Sequence, residues 1–276
     1  MDLVSVLVTT KNEEKNLARC LESVMKQTYP KIEIIVVDNF SDDDTVAIAR
    51  KFTEHVYEKG PERSAQRNFG AMKCKGKYIL YLDADMILAK DVVSVCEKMC
   101  RRKGSISGIY VPETIIGEGF WIKVRKFERE FYDGTVIDAV RFVPRKVWHL
   151  IGGFDPMLFG AEDWDFDKKI RSAGKVAIAR STIYHNEGKF NLSGYLKKKE
   201  YYSNCFDQYK QKWGESDPDI KKQFGFFYRF LGVYLEKGKF IRLIGHPILT
   251  IGMYYLRFRV GLSYLKMQKL EQSSGG

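Results

Sequence analysis

Three apolar runs, LVSVLVTT at 3–10, IEIIVVD at 32–38 and YILYLD at 78–83, each followed by a segment of helical periodicity, constrain this 276-residue chain more than any other feature. Continuous apolar runs of this length suit strands covered on both faces, as in parallel sheets; a strand with one wet face would alternate polar and apolar residues. After the first run, Asn12, Glu13 and Glu14 open a helix lined by Leu17, Leu21, Val24 and Met25, and Tyr29-Pro30 stops it. After the second, Ser41 is expected to cap a helix with Asp42, Asp43 and Asp44 at its positive end and Val46, Ala49 and Phe52 facing inward. A third helix is predicted over Glu62 to Lys73, and Asp91 opens a fourth. This βαβαβ order predicts an α/β fold, a doubly wound, mostly parallel sheet with right-handed crossovers. Ligands of such sheets sit beyond the carboxyl ends of the strands. The turn from Thr9 to Glu13, Asp38, Asp83 and Asp85 all fall at those ends, so topology alone predicts a site there.

Beyond residue 105 the pattern loosens. Short strands are expected at 107–111 and 140–143, with the partly helical GFWIKVRKFEREFYDG between them. GGFDPMLFGAEDWDFDKKIRSAG reads as a loop entering a short helix, with Phe166 and Ile170 inward and Gly174 ending it. VAIARSTIYH (176–185) reads as one strand, and 191–213 as helical and basic.

The net charge of +11 is local: residues 221–270 carry ten Lys or Arg against Glu236 alone, and the remainder is close to neutral. Polyanions are the natural partners of such a segment, but no nucleic-acid recognition module accompanies it. Its longest uncharged run, Leu243 to Leu256, is fourteen residues, short of the ~20 that a spanning helix needs. Interfacial helices with basic flanks bind anionic membrane surfaces; a bundle packed on the rest of the chain, or an oligomer contact, would use the same composition. The expected organisation is therefore 1–105 and 106–215 as two halves of one domain, a membrane-associating helical region at 216–272, and a flexible tail at 273–276. The five cysteines form no CxxC pair, and Cys96 and Cys100 fit core-facing thiols of one helix. An odd count without a signal peptide favours a reducing, cytosolic compartment.

Several nucleotide and hydrolase motifs are missing: GxGxxG after the first strand, GxxxxGK[ST], GxSxG and HExxH. What remains is an acidic cluster on a nucleotide-type sheet. Asp83 and Asp85, closing an apolar strand, either cap the turn before the Asp91 helix or hold a cation. Mg²⁺ or Mn²⁺ held by one or two carboxylates plus phosphate oxygens suits such a pair.

These motifs together resemble the family 2 glycosyltransferases, which have a GT-A fold, over roughly residues 3–205. VLVTTKNEEKNLARCLESV is similar to the family's opening strand, turn and helix, IEIIVVDNFSDDDT to its second strand and aspartate turn, RSAQRNFGAMKCKGKYILYLDAD to the helix leading into its DxD motif, and GGFDPMLFGAEDWDFDKKIRSAG to its acceptor-side Glu-Asp motif. The resemblance implies inverting transfer of a sugar from a nucleotide diphosphate donor, with Mn²⁺ or Mg²⁺ as cofactor. It places Thr9, Lys11, Glu13 and Asp38 at the base and ribose, Arg67 near the donor, Asp83 on ribose or sugar, Glu162 in the nucleotide-sugar site and Asp85 on the metal. It makes Asp163 the general base and adds His185 to the metal shell. Thr9 stands where proline is frequent, Lys11 where tyrosine is frequent, and Asn39-Phe40 replaces a common Asp-Gly, departures that bear on whether the base is uracil or guanine.

Each role has a plain structural counterpart: Asp83 and Asp85 as turn caps, Glu162 and Asp163 as helix N-terminal acids, His185 as a packed histidine, Arg63 and Arg67 as a solvated helix face, of which only Arg67 is expected to meet the phosphates. A retained base points to a hydroxyl acceptor, since a polyprenyl phosphate is already anionic. The expected protein is an enzyme acting on a lipid-linked or cell-surface glycan, peripheral on the cytosolic face of a membrane. The alternatives are transfer to a polyprenyl phosphate and a non-catalytic membrane-bound partner of the same fold. A sugar-nucleotidyltransferase would need a glycine-rich first loop that is missing here.

Overall fold

The computed structural model describes residues 1–274, and for residues 103, 237 and 265–274 the backbone only; positions 275–276 of the expected tail lie outside the described residues. The first elements are β1 (Val4–Thr10), α1 (Leu17–Met25), β2 (Ile32–Asp38), α2 (Thr45–Ala49), β3 (Val56–Glu58), α3 (Glu62–Lys73), β4 (Tyr78–Asp83), β5 (Met86–Leu88) and α4 (Val92–Lys103). Then come β6 (Ile106–Tyr110), β7 (Glu113–Glu118), α5 (Phe120–Arg129), β8 (Val140–Pro144), α6 (Arg145–Leu150), α7 (Glu162–Ala173), β9 (Lys175–Ile178) and β10 (Ile183–Lys189). Helices α8 to α13 follow at Leu192–Ser203, Phe206–Trp213, Pro218–Phe224, Val233–Leu235, Phe240–Gly245 and Pro247–Ser274.

Compactness groups the chain differently from the segmentation drawn on the sequence. Residues 1–114 and 138–186 form one unit; 115–137 and everything from 187 onward form the other.

The first unit is built on a seven-stranded sheet of order β3-β2-β1-β4-β8-β6-β9. β1, β2, β3 and β4 run parallel, as do β6 and β9, and β8 enters antiparallel between β4 and β6. Val4, Val6 and Val8 of β1 pack with Leu17 and Leu21 of α1 and with Val92 and Cys96 of α4, while Leu7, pointing the other way, packs with Ala71 of α3 and Phe166 of α7. This period-two division explains why the strands read as unbroken apolar runs: both faces are covered. Gly70 lets α3 approach the sheet, because a β-carbon there would stand 2.2 Å from a Leu7 methyl. A second, three-stranded sheet has the order β5-β10-β7. All five cysteines are buried free thiols.

The second unit is helical. Val124, Phe127 and Phe131 pack with Tyr234, Met253 and Leu256. Beside this core Glu128 meets Arg125 at 2.9 Å and Arg257 at 3.1 Å, and Arg125 also meets Glu187 at 2.9 Å.

Local expectations shift in three places. Met25 is 64% exposed, because α1 buries Leu17, Leu21 and Val24 and then ends. Ser41 does not cap α2; its hydroxyl and amide both bond Asp38, the helix starts at Thr45, and of the three residues expected inward only Ala49 is fully buried. The strand expected at 176–185 is two, β9 in the large sheet and β10 in the small one.

Candidate active site

The parallel register puts Thr9 beside Asp83 and Thr10 beside Asp38 at the carboxyl ends of β1, β2 and β4. Asp38 is fully buried and accepts two 2.6 Å bonds from Ser41. Ser41 Oγ in turn accepts from the Asn12 amide at 2.8 Å, and Thr45 Oγ1 from the Glu13 amide at 2.8 Å, so the turns after β1 and β2 are laced together. Asn12 and Phe40 both sit at φ 52°, in the left-handed region that side chains with a β-carbon disfavour. Lys11 is exposed, and Glu13 is half-buried with its carboxylate on Asn16 at 2.8 Å.

Arg67 is the hinge of the acidic end. Its guanidinium is fully buried, lies 4.9 Å from the ring centres of Tyr81 and Phe154, and donates at 2.8 Å to Asp83 and at 2.8 Å to Asp163. Arg141 adds a second cation 3.7 Å from the other Asp83 oxygen. Burial alone would push the Asp83 carboxyl up, but the two guanidiniums outweigh it and hold Asp83 well below the usual carboxylate range. Arg67, expected to meet the phosphates, thus has both terminal nitrogens on carboxylates. Glu162 likewise meets Arg63 at 2.8 Å, and burial, with Asp163 next to it, raises its carboxyl. Asp163 itself, in the first turn of α7, uses one oxygen on Arg67 and keeps its side chain 28% exposed.

Asp85 belongs to a different contact. β10 pairs with β5 so that Met86 faces His185, and His185 Nε2 comes to 3.0 Å from Asp85 Oδ2. The opposite ring nitrogen lies 3.8 Å from Glu113. Burial would lower the imidazole, but the two carboxylates raise it to about 10 in this geometry. The other Asp85 oxygen, Oδ1, is buried and without a hydrogen-bond partner. An orphaned buried carboxylate oxygen fits a divalent cation, which would replace the proton that His185 carries between Asp85 and Glu113. Among the described residues no group of three or more His, Cys, Asp or Glu could hold a metal, so a cation here would draw its remaining ligands from substrate and water.

Three residues escaped the sequence reading. Arg141 and Glu113 meet at 3.0 Å and brace Asp83 and His185; the signal was a charge inside the apolar strand VRFVP. Gln66 donates to the carbonyls of Thr10 and Val37 at 2.9 and 2.7 Å, tying β1 to β2, and no local pattern marks it.

A doubly wound sheet whose β4 ends in an Asp-x-Asp turn met by a histidine from a later strand is the GT-A class of fold. The glycosyl transferase family 2 model matches residues 5–162, more than half of the chain, and the chain belongs to that family. Relatives include a chondroitin synthase from Escherichia coli, 26% identical over 196 residues (66% of this chain, 28% of that protein). Glycosyltransferase GlyA from Streptococcus pneumoniae is 27% identical over 208 residues (72% of this chain, 28% of that protein). The chain thus spans little more than a quarter of these relatives' length. Among solved structures, the mannosyltransferase PcManGT from Pyrobaculum calidifontis, in complex with GDP-Man and Mn²⁺, aligns with TM-score 0.61 at 18% identity over 99% of this chain and 79% of that one. S. aureus TarS 1–349 aligns with TM-score 0.58 at 16% identity over 99% and 92%, and the same protein in complex with UDP-GlcNAc with TM-score 0.52 at 18% identity over 74% and 66%. At these identities the likeness establishes the fold.

Proposed function

We propose that the chain transfers a sugar, with inversion, from a UDP- or GDP-sugar to a hydroxyl of a lipid-linked or cell-surface glycan. The observation that carries this reading is two different carboxylates around the end of β4: Asp85, two residues past it with a buried oxygen lacking a partner, and Asp163, tied through Arg67 to the strand's last residue Asp83 yet partly open. Asp85 and His185 would hold Mn²⁺ or Mg²⁺, which when bound neutralises the charge that develops on the leaving diphosphate. A mixed carboxylate–imidazole donor set favours Mn²⁺ over Mg²⁺. The Thr9–Glu13 turn, with Lys11, and Asp38 would bind base and ribose, Asp83 would accept from ribose or sugar hydroxyls with its remaining lone pairs, and Glu162 would contact the sugar.

Asp163 acts as the base: its free oxygen takes the acceptor hydroxyl's proton while the acceptor oxygen bonds to the sugar C1 and the C1–diphosphate oxygen bond breaks. The nucleoside diphosphate leaves with the bond's electron pair. Arg67 positions both Asp83 and Asp163, so the base keeps its aim without a flexible hinge. Asp163→Asn, with the protein folded, should lower turnover by ~10²–10⁴-fold while leaving donor affinity near wild type. Nucleoside diphosphate release with a glycan acceptor measures this. Unchanged turnover would sink the base assignment and favour an already anionic polyprenyl phosphate acceptor.

A further inference from the structure

Large apolar side chains on the surface of the second unit form a concentrated face. Among the described side chains, twelve of the twenty-two large apolar ones that are exposed lie between Phe226 and Leu262. On α13 the exposed ones are Ile248, Ile251, Tyr255, Phe258 and Leu262, spaced three or four apart, which is one stripe of a helix ~21 Å long. The opposite side of α13 is already used: Met253 and Leu256 are buried, and a β-carbon at Gly252 would stand 2.7 Å from a Val124 methyl on α5. The helix is therefore apolar on two sides, one packed on protein and one uncovered. Ile241 and Ile244 of the preceding helix α12 are likewise uncovered, 67% and 75% exposed.

Charge decides what covers it. Arg242, half exposed and paired with Glu130 at 2.9 Å, lies between those two isoleucines in sequence, Arg259 follows Phe258, and the segment 221–270 has ten basic residues against one acid. A second copy docked through this face would set two such segments against each other. Spanning is excluded for the described helices, none of which is long and apolar enough to cross a membrane, and Arg257 and Arg259 interrupt α13 itself.

We infer that the exposed face of α12 and α13 lies flat on an anionic lipid surface, with the isoleucines at the acyl boundary and Arg242 and Arg259 at the headgroups. Apolar area and basic residues contribute together in such binding, each basic residue near the surface adding roughly fivefold.

The test is co-sedimentation of the full chain with vesicles of phosphatidylcholine alone and of equal parts phosphatidylcholine and phosphatidylglycerol. Wild type should sediment with the anionic vesicles and largely stay behind with the neutral ones. The double variant I248D/I251D should bind about tenfold more weakly or less, I244S should weaken binding through the second helix, and Leu150→Asp, at an exposed apolar site of the first unit, should change nothing. Thermal stabilisation by donor nucleotides, unaltered in these variants, shows that they are folded and keeps this outcome separate from the catalytic reading. Wild-type sedimentation with neither vesicle, or undiminished binding by I248D/I251D, would overturn the proposal. So would a wild-type dimer in light scattering that the double variant dissolves, which would assign the face to a second copy.

Discussion

Arg67 in the first unit and Arg257 in the second are both buried guanidiniums that hold carboxylates and lie over aromatic rings, yet their partners differ. The carboxylates of Arg67, Asp83 and Asp163, keep 18% and 28% of their side-chain surface open. The carboxylate of Arg257, Glu128, keeps 5% and is closed further by Arg125 and the Tyr132 hydroxyl. A buried arginine alone therefore says little about chemistry. What separates a site from a brace is whether the partner carboxylate still faces outward, where a hydroxyl or ribose can reach it.

That contrast can be broken by substitution. Arg67→Met removes the cation shared by Asp83 and Asp163, leaving Asp83 only Arg141 at 3.7 Å, and should cost about 3–5 kcal/mol of stability, with turnover abolished. Arg257→Met leaves Glu128 its other partners and should cost about 2 kcal/mol, with donor binding intact. Urea denaturation of both, with donor binding followed in parallel, would erase the distinction if the two losses were equal.

A smaller effect sharpens the same point through pH. Asp167 is 1% exposed, and its burial, opposed by Arg171, pushes its carboxyl up to about 6 from the ordinary 3.8. The folded state then holds this proton more tightly than the unfolded chain, so stability falls as pH rises through that window and the cost is complete above it. Asp167→Asn cannot titrate. Measured by denaturation, the stability difference between variant and wild type should move in the variant's favour by about 2–3 kcal/mol between the two ends of the window. A difference independent of pH would show that Asp167 is ionised throughout, as open carboxylates are.

The smallest effect concerns Phe40, which is 63% exposed and held at φ 52° next to Asn39 and Asp38. Phe40→Gly should relieve up to ~1 kcal/mol of backbone strain. If the strained ring serves the donor base, the same variant should bind nucleotide more weakly; tighter or unchanged binding, by calorimetry, would make the strain incidental.

Much of this was legible in the residues. β2 and α3 begin and end where their patterns said, because each is fixed by its own periodicity and punctuation. The two-faced burial of β1 and the ending of α7 at Gly174 were equally local. What failed was long-range. His185 meets Asp85 from a hundred residues away, and only the resemblance, not any pattern near His185, anticipated it. The split of 176–185 into two strands reflects a change of sheet that no alternation encodes. Sequence shows Arg67 as a cation at helical spacing but not that Asp83 and Asp163 come to its two terminal nitrogens. In the second unit composition announced a basic, apolar segment; which apolar side chains are covered depends on how α13 packs on α5.

The central claim, that Asp85 anchors a metal-linked diphosphate, is tested most directly by thermal shift. Wild type and Asp85→Ala would be run against UDP- and GDP-sugars, with and without Mn²⁺. The proposed site predicts stabilisation by one nucleotide class that requires Mn²⁺ and disappears in Asp85→Ala. Stabilisation of equal size in the variant, or none by any donor in a folded wild type, would contradict it.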